Sequence, residues 1–293
     1  MTSKQRPTYR VPRPTDRERQ AVLPSLIVGR GSSVVFNYHG IEEREDEYPW
    51  TDAEKTYVLS REVFERQIKY LFSRNTSALS LDQLDEWLKG KDYPNPALLT
   101  FDDGHLSHFK YAAPCLRENH GTGIFFVSAG LVGRKHQMGW TELKELLRQG
   151  FEIGSHGLRH IPLVHLSEDE LEKEISQSKK ILEDRLGAEV KSFSIPRGFD
   201  HPRIKERAAK AGYRFLFNSR FDLVRRGKSP LGLARLAVRR EFSFETFVRL
   251  AAGDLGKMKY SERIKEWTRR WVPSPVYAGL AEIKSRAKQG VRR

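Results

Sequence analysis

A chain of 293 residues, 38% hydrophobic and with a formal net charge of +14, is long enough to bury a sizeable core as one large α/β barrel or two small domains. It contains no run of about 18 apolar residues, and its early apolar stretch 21–29 is short and broken by Pro24, so neither a membrane span nor a signal peptide is predicted and a cytoplasmic protein is expected. Cys115 is the single cysteine, which excludes an intramolecular disulfide and a cysteine-cage metal site and leaves His and carboxylate as the available ligands.

Charge is concentrated at the two ends. Residues 1–30 carry seven Lys/Arg against two acids and residues 257–293 carry eleven against three, which leaves 31–256 with a net charge of +1. The first thirty residues are rich in Arg, Pro and Thr without apolar periodicity and read as a flexible basic arm. Strand-like runs then follow at 34–38, 97–101, 123–127, 151–153, 191–195, 214–218 and 233–238. They alternate with helix patterns near 60–71, 81–89, 108–119, 141–149, 167–186, 202–211 and 244–251. Ser167 with Glu170 forms a capping box, Asp200 before Pro202 is the expected N-cap of the next helix, and Gly187 and Gly212 are helix stops. About seven β/α units in one run predict a parallel sheet, closed into a barrel or doubly wound, with its working site where strands end and loops begin. The resulting division is an arm over 1–30, a barrel over 31–256 and a basic amphipathic extension over 257–293.

Two segments place polar chemistry at such strand ends. Residues 97–104, Ala-Leu-Leu-Thr-Phe-Asp-Asp-Gly, run an apolar strand into Asp102 and Asp103, neighbours that leave the strand in different directions, so that one can bind a cation while the other faces a bound water. Residues 151–160, Phe-Glu-Ile-Gly-Ser-His-Gly-Leu-Arg-His, put His156 and His160 four apart just past another strand. On one helical turn or a compact loop, that spacing lets both imidazoles meet one ion. Two histidines and one carboxylate leave coordination positions open, as a catalytic metal site requires. Asp-Asp-Gly by itself is also a common turn, and a lone histidine is more often a surface or core residue.

These motifs resemble those of the polysaccharide deacetylases, carbohydrate esterase family 4, which share the nodulation-type chitooligosaccharide deacetylase homology domain. The likeness spans about residues 33–250. Thr100-Phe-Asp-Asp-Gly104 resembles the family's first motif and Ser155-His-Gly-Leu-Arg-His160 its second. Phe193-Ser-Ile-Pro-Arg-Gly198 resembles the third, and Tyr38-His-Gly-Ile41 a strand end of exopolysaccharide-type members. The resemblance implies a distorted (β/α) barrel of about seven strands. It implies Asp102 as general base, and Asp103, His156 and His160 as ligands of zinc, or of cobalt, nickel or manganese. Hydrolysis of an acetamide needs a strengthened nucleophile and a stabilised oxyanion, which such an ion, Asp102 and the backbone N–H of Arg197 after Pro196 would supply. His39, Pro196 and Gly198 are the expected substrate contacts, and the Arg197 side chain is expected to pair with Asp102 or with a negatively charged substrate. Two features depart from the family pattern. Arg197 stands where an aromatic is usual, and the late segment 235–240, Arg-Leu-Ala-Val-Arg-Arg, lacks the histidine that serves as general acid, leaving His39, His105 and His201 as substitutes.

The expected activity is therefore N-deacetylation of an oligosaccharide, polysaccharide or lipid-linked precursor, and the alternative is an inactive glycan-binding protein of the same build. Tyr260, Ile264, Trp267 and Trp271 form an amphipathic stripe, read either as a helix packed on the barrel or as a peripheral contact with anionic membrane at its inner face. No specific nucleic-acid partner is expected, since the body carries no binding motif.

Overall fold

The computed structural model describes residues 28–29, 31–256 and 258–259. All of the arm except residues 28–29, and the stripe from Tyr260 to Trp271, therefore lie outside the described residues. The strands are β1 (Ser32–Tyr38), β2 (Ile41–Glu42), β3 (Leu59–Ser60), β4 (Ser77–Ala78), β5 (Pro96–Phe101), β6 (Ile124–Val127), β7 (Glu152–Ser155), β8 (Ser192–Ser194), β9 (Phe215–Phe217), β10 (Val224–Arg225), β11 (Leu231–Leu233) and β12 (Leu236–Ala237). The main sheet runs β10-β1-β5-β6-β7-β8-β9-β11, with β4 also on β5 and β12 also on β1. Its pairs are parallel except β1 with β10. Because β11 lies on β9 and β12 on β1, the segment 231–237 bridges the two ends of the sheet into a nearly closed barrel.

Parallel strands covered on both faces should be apolar at every position, and β1 and β5 are buried along their whole length. The two-residue period then sorts their side chains. Val34, Phe36, Tyr38, Leu99, Phe101 and Phe125 belong to one core, and Val35, Leu98, Ile124, Phe126, Phe215 and Phe217 to the other. The second core is the barrel interior, and Asn37, Thr100, Asp102 and Ser194 share its parity. A Cβ at Gly154 would lie 2.3 Å from the Phe126 ring, so this glycine makes room for an interior aromatic.

The α-helices of five or more residues are α1 (Arg61–Ser73), α2 (Leu81–Leu88), α3 (Ala113–Glu118), α4 (Trp140–Arg148), α5 (Glu168–Glu172), α6 (Ser178–Leu186), α7 (Pro202–Lys210) and α8 (Phe244–Ala251). The Ser167–Glu170 capping box forms, and Gly187 closes α6 in the left-handed region. Three expectations are corrected. The N-cap of α7 is His201, whose Nδ1 accepts the Arg203 N–H at 3.3 Å, because Asp200 is drawn instead to Asn218 (3.1 Å) and Lys205 (2.9 Å). The helices read at 108–119 and 167–186 each contain a π-helical turn, at His108–Ala112 and Lys173–Gln177. The strand read at 233–238 is two strands, broken where Arg235 turns into the barrel. No helix among the described residues is long and apolar enough to cross a membrane.

At the opposite end of β7 from the histidines, Glu152 accepts the Leu81 N–H at the start of α2 (2.9 Å), and burial pushes its carboxyl up to about 7. The folded state therefore holds a proton that the unfolded chain has released between roughly pH 4.5 and 7, so this group's contribution to stability declines as pH rises through that window. Glu152→Gln is expected to gain on the order of 2 kcal/mol over the native chain at pH 8 and little at pH 4.5, read by chemical denaturation at both values.

Candidate active site

The β1–β5 pairing continues past the strand as the Asp102 N–H donates to the Tyr38 carbonyl (2.9 Å), which holds Asp102 on the interior side. The chain then turns at once, since Asp103 and Gly104 both adopt positive φ (75° and 69°). That turn separates the two carboxylates as their adjacency predicts: Asp102 is buried at the barrel mouth, and Asp103 faces the loop after β7.

His156 leaves β7 with its N–H on the Val127 carbonyl (2.8 Å). Its Nδ1 lies 2.8 Å from the Ser194 carbonyl. A carbonyl can only accept, so Nδ1 carries the proton and the Nε2 lone pair is left facing the site. His160, also at positive φ (58°), brings its Nε2 to 3.1 Å from Asp103 Oδ1, and His156 Nε2 lies 3.4 Å from the same oxygen. Ligand atoms of Asp103, His156 and His160 all fall within 4.8 Å of one another. Burial would raise the Asp103 carboxyl, but the two imidazoles beside it hold it well below the usual range. An ionised carboxylate beside two imidazole nitrogens, one of them with its proton fixed on the far side, fits a divalent cation.

The loop joining the histidines is a compact loop, not a helical turn. The fully buried Glu174, on the π turn, accepts the N–H groups of Leu158 (2.8 Å) and Arg159 (3.1 Å) through Oε2 and Arg159 Nε (2.5 Å) through Oε1. Ala129 and Gly130 donate to the carbonyls of Gly157 and Leu158, both at 2.9 Å. A Cβ at Gly157 would sit 3.2 Å from Glu174 Oε2 and 3.4 Å from Pro196 Cγ.

Asp102 is clamped by Arg235. Nη1 donates to Oδ1 and Nη2 to Oδ2, both at 2.8 Å, while Nε reaches the Asn218 carbonyl (3.0 Å) and Nη2 also reaches Ser194 Oγ (2.8 Å). Asn37 Nδ2 (3.1 Å) and Ser194 Oγ (3.3 Å) donate to Oδ2 as well. Burial alone would raise this carboxyl; the Arg235 charge, then His156, hold it far below the usual range.

A polysaccharide deacetylase family model matches residues 89–216, the stretch that carries Asp102, Asp103, His156 and His160. Residues 89–216 belong to this family. YxkH of Bacillus subtilis (strain 168), named for the same family, is 24% identical over 180 residues, covering 61% of this chain and 64% of that protein. The poly-β-1,6-N-acetyl-D-glucosamine N-deacetylase of Staphylococcus aureus (strain MSSA476) is 27% identical over 178 residues, 54% of this chain and 61% of that one. The match thus spans less than two thirds of the length of these curated relatives. Among solved structures, the Streptococcus pyogenes deacetylase PplD in complex with acetate aligns with a TM-score of 0.67 at 20% identity, over 74% of this chain and 97% of that one. IcaB from Ammonifex degensii aligns with a TM-score of 0.64 at 25% identity, over 77% and 98%.

The remaining candidates around this polysaccharide deacetylase match divide. His39 lies at the mouth with its ring 4.9 Å from that of Tyr57. Its buried Nδ1 has no hydrogen-bond partner among the described residues, and burial lowers its pKa against the pull of Asp103 and Asp102. His105 bonds Ser107 Oγ (2.8 Å) and is pushed down to about 3 by burial, while His201 is exposed on α7, so neither matches the placement of His39. Pro196 and Gly198 are buried at the end of β8. Arg197 is exposed, and it does not pair with Asp102, because Arg235 already occupies both carboxylate oxygens.

Proposed function

We propose that this chain hydrolyses the acetamide of an N-acetylated sugar in an oligosaccharide, polysaccharide or lipid-linked precursor, with Asp103, His156 and His160 holding a divalent ion, zinc first among those expected. The observation that carries this reading is the juxtaposition of that ligand set with a second, arginine-clamped carboxylate at the mouth of the barrel. When bound, the ion supplies Lewis-acid polarisation of the carbonyl and a lowered pKa for water.

Asp102 is the general base through Oδ1. Its Oδ2 already takes donors from Arg235, Asn37 and Ser194, whereas Oδ1 takes one from Arg235 and keeps an acceptor direction open. A carboxyl held so low is a weak base and, once protonated, a strong acid. It therefore hands the proton on to the departing nitrogen instead of keeping it, which gives the amine a proton source without a late histidine. The Arg197 backbone N–H, beside Pro196, is the proposed oxyanion donor, and His39, held neutral by burial, orients the sugar.

Acetate release from a panel of N-acetylated glycans with added zinc, cobalt or nickel tests this reading. Asp102→Asn is expected to lower release about 100-fold with the metal still bound, and His156→Ala to lose both. A metal-loaded chain that releases no acetate from any of them would favour the inactive glycan-binding alternative. The pH profile tests the proton source. If Asp102 supplies the proton, release stays level between about pH 6 and 8, since Asp102 is ionised throughout; if a charged His39 is needed, release falls as pH rises through a value below the usual histidine range. The basic ends are proposed to attach the chain peripherally to anionic membrane at its cytoplasmic face, and removing residues 257–293 is expected to abolish flotation with anionic liposomes.

A further inference from the structure

Among the described residues, several charged side chains around the barrel mouth are engaged with one another. Arg235 is committed to Asp102, Arg159 to Glu174, Lys205 to Asp200, and Arg203 and Arg207 to Glu168. Arg197 and Arg220 are both exposed, and neither side chain makes a hydrogen bond or ion pair within the described residues.

The two arginines are brought together by the backbone. A Cβ at Gly198 would fall 2.0 Å from Ser219 Oγ, and the Ser219 N–H donates to the Gly198 carbonyl (3.3 Å). Arg197 and Arg220 therefore stand one residue to either side of a contact between the loop after β8 and the loop after β9. Both are tied to the active site. Pro196, next to Arg197, packs at Gly157 between the two ligand histidines, and the Arg220 carbonyl accepts the Arg235 N–H (3.1 Å).

Arg197 also sits at φ 62°, ψ −5°. For a side chain with a Cβ, that region costs roughly 1 kcal/mol that glycine would not incur. A guanidinium kept at such a position, exposed and unpaired, is a donor fork with no acceptor, and its natural complement is a carboxylate or phosphoryl group.

We infer that Arg197 and Arg220 form a subsite for an acidic substituent of the glycan, carboxylate or phosphoryl, carried close to the acetamido sugar. The inference rests on the deacetylase reading for its substrate class and adds a charge to that substrate. It is tested by measuring binding separately from turnover. The full chain with zinc is titrated with a neutral N-acetylglucosamine tetramer, with a tetramer alternating N-acetylglucosamine and glucuronate, and with N-acetylglucosamine against its 1-phosphate. Acetate release is followed on the same compounds.

The acidic member of at least one pair is expected to bind about tenfold tighter at low salt, and which pair shows the preference identifies the anion. The preference is expected to shrink to within about twofold in Arg197→Gly, which suits the left-handed backbone, and in Arg220→Ala, and to persist in part in Arg197→Lys. Equal or tighter binding of the neutral member in both pairs, no binding of any member, or a preference that survives Arg197→Gly combined with Arg220→Ala overturns the inference. An acidic preference without acetate release would support the subsite and count against the hydrolytic reading. Acetate release with no preference would do the reverse.

Discussion

Arg235→Met is expected to lower folding stability by about 3–5 kcal/mol, because it strands a buried carboxylate instead of removing a pair. Asp102 is 3% exposed and Arg235 1%, so water cannot replace the lost partner. All of the guanidinium's directions are in use, and the substitution also leaves the Asn218 carbonyl and Ser194 Oγ short of a donor. The size of the effect should depend on pH. In the native chain Asp102 is held well below its unfolded pKa, so its stabilising contribution is present above the unfolded value and is lost only as pH falls through the folded one. Without Arg235, burial dominates and the carboxyl rises, so the variant is worst at neutral pH and recovers part of the deficit as acid protonates Asp102. Thermal unfolding should show a drop of about 10 °C at pH 7, narrowing towards pH 4.5. Acetate release should fall about 100-fold at neutral pH, since the Asp102 carboxylate loses the clamp that aims its Oδ1 at the site. Combining Arg235→Met with Asp102→Leu removes both charges and should restore much of the stability with none of the activity. A double variant as unstable as the single one would show that the clamp is not what the carboxylate needs.

The candidate ligands and the residues that hold them differ in how far the sequence reveals them. Asp103, His156 and His160 were legible because strand-end carboxylates and an i, i+4 histidine pair are local patterns, and the structure brings their ligand atoms together. The alternation of apolar runs likewise located the long strands and helices to within a few residues, since each buries a periodic face. Strands of two residues such as β4 and β10 have no period to detect, and the π turns are a matter of backbone bonding that side-chain spacing does not encode. Arg235 was visible as a letter but not as a function. It stood out only as a place without a histidine, and its pairing with a residue 133 positions away depends on how the barrel closes. A hint was available: a charge inside the apolar run from Leu233 to Val238 has to be either a break in the strand or an inward-facing partner for another charge, and it is both. Asn37 and Ser194 follow from interior parity once the strands are paired, and from nothing earlier.

Glu174 is the other residue that only the fold exposes, and Glu174→Ala is expected to weaken zinc binding by about 10- to 100-fold without touching a ligand. The carboxylate lies against the loop that joins the two histidines, with Leu158 and Arg159 giving it their backbone N–H groups and Arg159 its Nε. His160 holds its Nε2 near Asp103 only while its own backbone stays at positive φ, a conformation uncommon for any residue with a Cβ and so one that the loop has to support. Removing the acceptor leaves two N–H groups without a partner at the turn that sets His160, whereas His156 keeps its separate anchors on Val127 and Ser194. The ligand set should therefore lose one arm more than the other, and competition against a chelating dye in the absence of substrate should read that directly. Glu174→Gln retains a carbonyl oxygen for both backbone donors and loses only the link to Arg159, so it should recover most of the affinity. If the alanine variant binds zinc as tightly as the native chain, the loop is shaped by the contacts of Gly157 and Leu158 with Ala129 and Gly130, and Glu174 merely fills the space beneath it.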